Sequence, residues 1–190
     1  MAHTQTLMKY YTGIGSRECP EETLKAIKEI GAYLGSRGWT LRSGGADGAD
    51  KFFETGCDEV CGPKEIYLPW EEFNYNLSFL YLKNMTVDVQ EKAKEVAQKF
   101  HPAWDHLSWA ARVLMTRNSL QILGQDMKTP SSFVVCYSIK QGGTTQAMRI
   151  AQDMGIPIFN IADEKVLSDL KQHMQRKLDF LEPLCYSIFD

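Results

Sequence analysis

No apolar run in the 190-residue sequence approaches the ~20 residues that a bilayer-spanning helix needs. The start, Met1-Ala2-His3-Thr4-Gln5, lacks the charged-then-apolar pattern of an export signal, so a cytoplasmic protein with no membrane partner is expected. Cysteine is sparse and odd in number (Cys19, Cys57, Cys61, Cys136 and Cys185), which fits reduced thiols better than a disulfide framework. Cys57 and Cys61 lie on a predicted helix, and a metal would need His101 or His106 as well. No second ligand pair has metal-site spacing, so these thiols are expected to be small buried side chains, with no metal and no cofactor. Positive charge is not in excess: 21 Lys and Arg stand against 24 Asp and Glu, a formal net charge of −3. A polyanion therefore gains no global attraction, and binding of single-stranded DNA is disfavoured unless a local basic patch exists.

Low-complexity tracts, internal repeats and linkers are also missing, which leaves one domain over residues 1–190 as the expectation. Strands are predicted at Lys9 to Ile14, Trp39 to Arg42, Lys64 to Leu68, Phe133 to Tyr137 and Ile158 to Ile161. Between them lie predicted helices at Pro20 to Arg37, Ala46 to Val60, Val87 to Phe100, Leu107 to Leu123 and Thr144 to Met154, with another from Asp163 to Arg176. Such alternation predicts an α/β, Rossmann-like fold with a mostly parallel central sheet and helices on both faces. Residues 69–86 break the pattern and read as an irregular excursion. The tail at about 177–190 is apolar without periodicity, and self-association into a homo-oligomer is expected from it.

Three glycine-rich turns follow strands: Gly13-Ile14-Gly15-Ser16-Arg17, Ser43-Gly44-Gly45-Ala46-Asp47-Gly48-Ala49-Asp50 and Gln141-Gly142-Gly143-Thr144-Thr145. A helix start leaves backbone N–H groups unpaired and carries partial positive charge, and glycine lets an anion come close. In a parallel sheet all three turns gather at the carboxyl edge, where one ligand can meet them. Neither the P-loop lysine nor the dinucleotide spacing of three glycines is present, which argues against ordinary kinase or dehydrogenase chemistry. Arg17, Arg42, Arg112, Arg117 and Arg149 fall in or near these segments as possible phosphate clamps. Arg117-Asn118-Ser119 draws attention because it interrupts an apolar helix, although a solvated helix face would look the same. Asp47 and Asp50 suit a ribose hydroxyl, a metal or a helix cap, and Glu54 lies one turn beyond Asp50 as an acid/base partner. Trp70 and Phe73 are placed to stack a base or to cover a core edge.

These turn residues resemble the SLOG superfamily of Rossmann-like proteins, which includes the DNA-processing protein A (Smf) family and the Lonely Guy phosphoribohydrolases. The likeness rests on Gly15-Ser16-Arg17, on Ser43 to Asp50, on Arg117-Asn118 and on Gly142-Gly143-Thr144, and spans about Lys9 to Asn160. Stand-alone, phage-type members are nearest in style, also in Ile66-Tyr67-Leu68-Pro69-Trp70. The resemblance implies a nucleotide or nucleotide-derived ligand across the glycine turns and, for a phage-encoded member, the host cytoplasm. The phosphoribohydrolases carry a glutamate three residues after the threonine of their glycine motif, where this chain has Ala147.

Three functional expectations follow. The first is binding of a small nucleotide or nucleotide-derived signal by Gly15, Ser16, Arg17, Ser43, Gly44, Gly45, Ala46, Asp47, Gly48, Asp50, Trp70, Arg117, Asn118, Gly142, Gly143, Thr144 and Thr145. Another is N-glycosidic hydrolysis of a nucleoside monophosphate or NAD-like substrate, with Asp47, Asp50 and Glu54 as the catalytic carboxylates. Single-stranded DNA binding of the DNA-processing type is the third.

Overall fold

A computed structural model describes residues 9–140 and 142–176. The tail at 177–190, and with it Cys185, lies outside the described residues, as does Gln141. Five strands, β1 (Lys9–Gly15), β2 (Trp39–Ser43), β3 (Lys64–Ile66), β4 (Phe133–Tyr137) and β5 (Ile158–Asn160), form one parallel sheet in the order β3-β2-β1-β4-β5. The helices are α1 (Glu21–Ser36), α2 (Ala49–Glu59), α3 (Val87–Phe100), α4 (Trp109–Leu123), α5 (Gly143–Asp153) and α6 (Glu164–Gln175). None among the described residues is long and apolar enough to cross a membrane.

Strand periodicity divides the core between the two faces of the sheet. Tyr11, Leu41, Phe133, Val135 and Phe159 point to one side and pack with Ile27, Phe53 and Leu170 of α1, α2 and α6. Ile14, Val134 and Cys136 point to the other, toward Ile122 of α4 and Ile150 of α5. Helix α3 packs beside α4 through Ala93 and Leu120. Phe133 centres the first layer, with ring centroids 4.9 Å from Trp39, 5.8 Å from Tyr11 and 5.9 Å from Phe159. Both faces are covered, so β4 is apolar and buried at every position.

Element ends differ from expectation where backbone chemistry overrides periodicity. Helix α2 starts at Ala49 rather than Ala46, because Gly45 and Gly48 take φ of +63° and +80° and keep the chain in a turn. It ends at Glu59, so Cys61 (φ +51°) lies beyond the helix, while Cys57 is buried with its thiol toward the Pro63 carbonyl. Among the described residues no group of three His, Cys, Asp or Glu is placed to hold a metal. Helix α4 starts at Trp109 because the Ser108 hydroxyl accepts from the Ala111 amide, 3.2 Å away, and caps it there. Between β3 and α3, residues 69–86 contain two short 3-10 turns, Phe73–Tyr75 and Leu82–Asn84.

Helices α1 and α2 meet backbone to backbone through glycines. A Cβ on Gly31 would stand 2.6 Å from the Phe53 carbonyl oxygen, and one on Gly56 would collide with the Lys28 carbonyl. Because the blocking atoms are main chain, Gly56→Ala should cost about 3 kcal/mol, the upper end of ordinary overpacking. Urea unfolding checks this; an unchanged midpoint would show that the two helices can separate freely.

Candidate functional site

The chain runs outward from β1 to β2 and β3, then returns to the other side of β1 with β4 and β5. The strand order therefore reverses between β1 and β4, and the carboxyl ends of those strands open a crevice. A cavity of about 390 Å³ lies there, walled by Gly15, Ser16, Arg17 and Glu18 after β1 and by Ser138, Ile139 and Lys140 after β4. Helix α4 supplies Leu114, Met115, Arg117, Asn118 and Gln121, while Ala46 and Asp50 come from the second turn and Gly142, Gly143 and Thr144 from the third.

Arg117 and Asp50 are buried together at the back, each side chain 5% exposed, with Nη1 3.7 Å from Oδ2. The guanidinium packs directly against Gly44, where any Cβ would overlap it. The Gln121 amide, oriented to satisfy both ends, accepts from the Gly44 amide (2.9 Å) and Arg117 Nη1 (3.0 Å) and donates to Asn118 Oδ1 (2.9 Å). Asn118 in turn donates to the Gly143 carbonyl (3.2 Å) and to Gln146 Oε1 (3.1 Å). One relay of side chains thus ties the second turn to the start of α5. Arg117 Nε, though buried, has no hydrogen-bond partner among the described residues.

The two helix starts at this edge are used differently. At α2 the Ala49 amide donates to the Ser16 carbonyl (3.1 Å), and the Gly15 amide donates to Asp50 Oδ1 (3.1 Å). The Gly44 and Ala46 amides face the same carboxylate and favour its charged form. Gly48 permits this closure, since a Cβ there would stand 2.5 Å from the Ser16 carbonyl oxygen. Among the described residues no side chain caps either helix, at Gly48 or at Gly142, but the first turn of α5 borders the cavity. Asn160 steadies the loop leading there, accepting from the Ser138 amide (3.0 Å) and donating to its carbonyl (2.9 Å).

Of the residues expected at the site, Gly15, Ser16, Arg17, Ala46, Asp50, Arg117, Asn118, Gly142, Gly143 and Thr144 line the cavity. Gly44 lies behind Arg117, and Thr145 follows in α5 with its hydroxyl donating to the Lys140 carbonyl (3.1 Å). The structure does not bring Ser43, Gly45, Asp47, Gly48, Glu54 or Trp70 to the cavity wall. The Ser43 hydroxyl donates to the Gly13 carbonyl; Asp47 is exposed; Glu54 pairs with Lys64 (2.8 Å) and accepts from Asn76. Of the three candidate carboxylates, only Asp50 therefore borders the cavity. Trp70 belongs to a separate groove with Tyr81, Lys83, Lys94 and Trp109. Arg42 is a core residue, held by Glu65 (2.8 Å), by the Thr129 carbonyl and by the Tyr10 ring. Arg117-Asn118-Ser119 is buried, at 4%, 6% and 0% exposure, so it is not a solvated helix face. Sequence reasoning missed Gln121 and the apolar wall of Leu114 and Met115; a signal for Gln121 was its place one turn beyond Arg117 on the same helix face.

Fold and site together define a Rossmann-like protein with a ligand-sized crevice at its switch point. No family model and no curated protein matches the sequence. Among solved structures, DNA processing protein A from Helicobacter pylori, described for its single-stranded DNA binding mode, is similar with a TM-score of 0.51 and 18% identity over 80% of this chain. This chain spans 64% of that protein's length. The Moco carrier protein of Chlamydomonas rheinhardtii gives a TM-score of 0.49 at 16% identity, covering 88% of this chain and 86% of that one. DNA processing protein A from Streptococcus pneumoniae gives 0.49 at 15%, covering 90% and 56%. The likeness is one of architecture: the fold is Rossmann-like, a parallel sheet between helices.

Burial pushes both members of the buried pair toward their neutral forms: Asp50 is raised above the usual carboxylate range, and Arg117 is lowered. The folded chain then binds the Asp50 proton at higher pH than the unfolded chain does. Its stability should rise relative to an Asp50→Asn variant as pH falls through the raised value toward ~3.9, and level off below. Unfolding free energies of both proteins across that window check the sign; a wild-type advantage that shrinks on acidification would mean a stabilised carboxylate.

Proposed function

We propose that the chain is a single domain that binds a small nucleotide or nucleotide-derived molecule in the switch-point cavity, with its phosphate at the start of α5. The carrying observation is the first turn of an 11-residue helix bordering the same cavity as Arg117; among the described residues that turn has no side-chain cap and the buried Nε of Arg117 no partner. The amides and dipole at a helix start favour an anion there, and a guanidinium adds a directional, charge-assisted contact. Arg17 stands exposed at the mouth, while Leu114, Met115 and Ile139 offer an apolar wall for a base. About 390 Å³ falls within the range of small-molecule sites, which begins near ~300 Å³.

Gly142 offers a test that leaves the fold intact. Its backbone is extended (φ 173°) and a Cβ there meets nothing within 4 Å, so Gly142→Asp should cap α5 and place its own carboxylate where the phosphate would sit. Isothermal titration against AMP, NAD, ADP-ribose and cyclic nucleotides should give a ligand that this variant binds at least about tenfold more weakly, a loss of ~1.4 kcal/mol, with no drop in melting temperature. Silence of the wild type across the panel would overturn the proposal.

A second reading, single-stranded nucleic acid, is favoured by the aromatic groove of about 910 Å³ where Trp70 and Trp109, 37% and 74% exposed, stand among Lys83, Lys94, Glu71 and Glu91. Bases stack on such rings for ~1–3 kcal/mol each, and lysines draw phosphates. Gel shifts with an oligonucleotide should then weaken steeply with salt and on Trp109→Ala; no shift at low salt removes this reading.

A further inference from the structure

We infer that Asp50 sets the charge preference of the cavity: a dianion seated at the start of α5 and against Arg117 binds together with one proton, taken up from solvent by the Asp50 carboxylate. The inference rests on the anion site proposed above. It begins from a carboxylate on the wall of a site otherwise built for negative charge. Asp50 already acts as an internal anion, drawing on the Gly15, Gly44 and Ala46 amides and on Arg117. Yet the pair is loose, because 3.7 Å exceeds hydrogen-bond length, and at 5% exposure little water screens either charge.

An incoming dianion would therefore share a single buried cation with a buried carboxylate. The charges facing Asp50 come from three elements besides its own. Helix α4 brings Arg117 alone, the loop after β1 brings Arg17, Glu18 and Cys19, and the loop after β4 brings Lys140. Lys140 and Glu18 lie 3.9 Å apart, 79% and 91% exposed, and offset each other. The Cys19 thiol, pushed up to about 11 by burial, stays neutral. Among the described residues no histidine lines the cavity. Protonation is the change that removes the conflict: a neutral Asp50 keeps Oδ1 as acceptor for the Gly15 amide and gains an O–H donor for the ligand. Burial already disfavours the charged carboxylate, so the step lies in the direction the site leans. One proton moves from solvent to Asp50, and no bond in the ligand changes.

Inorganic sulfate is the probe, because it remains a dianion between about pH 5 and pH 8, where histidine is the only unperturbed side chain to titrate. Titration calorimetry on the whole protein, in two cationic buffers of different ionisation enthalpy, should show net proton uptake and an affinity that tightens by up to about tenfold for each pH unit of acidification. Asp50→Asn should bind sulfate with flat pH dependence, while Glu18→Gln, altering the mouth only, should keep the wild-type slope. If Asp50→Asn fails to fold, proton uptake by the wild type together with a slope kept in Glu18→Gln decides the matter. Sulfate binding with flat affinity and no proton uptake would overturn this inference and leave the anion site standing. A slope lost in Glu18→Gln would overturn it too, by moving the proton to the mouth. If neither sulfate nor AMP binds at any pH, the anion site falls, and this inference with it.

Discussion

A guanidinium laid across bare backbone holds this molecule's carboxyl edge together. Arg117 reaches from α4 over Gly44 and faces Asp50 at the start of α2. Gln121 bonds the same guanidinium and the Gly44 amide, and Asn118 carries the connection on to Gly143. The return strands β4 and β5 are thereby joined by side chains, as well as through the sheet, to the half of the fold built on β1 and β2. Removing one partner of a buried charge pair typically costs ~3–5 kcal/mol, so the arrangement constrains every residue in it.

That constraint separates two helix starts that look alike in sequence. At α2 the protein supplies its own anion, and the amides near it are committed to Asp50, Gln121 and Ser16. At α5 none is supplied among the described residues. The same buried network holds the guanidinium beside that open turn without using its Nε. The closed turn serves as scaffold for the open one: Asp50 orients Arg117, and Arg117 borders the cavity that α5 enters.

Much of the architecture could be read in advance. Alternating strand and helix patterns, the continuous apolar run Phe133 to Tyr137 and Gly124 after Leu123 locate the elements, because burial on two faces and helix termination leave strong local traces. The ends of α2 and α4 were less legible, since positive-φ glycines and a serine cap act on single residues and outweigh periodicity. At the site, Arg117-Asn118 stood out as polar groups in an apolar helix. Gln121 did not, because a glutamine four residues on looks ordinary until Gly44 is packed beneath it.

By itself the sequence determined the α/β class, the parallel sheet and the gathering of glycine turns along its carboxyl edge, all of which follow from periodicity and from the chirality of strand connections. Only the tertiary structure decided which amides are already occupied, that Asp50 lines the cavity while Glu54 and Asp47 do not, and that Trp70 faces a different groove. Those outcomes depend on where separate elements come to rest, as Asp50 and Arg117 do, and no local pattern encodes a distance across the fold.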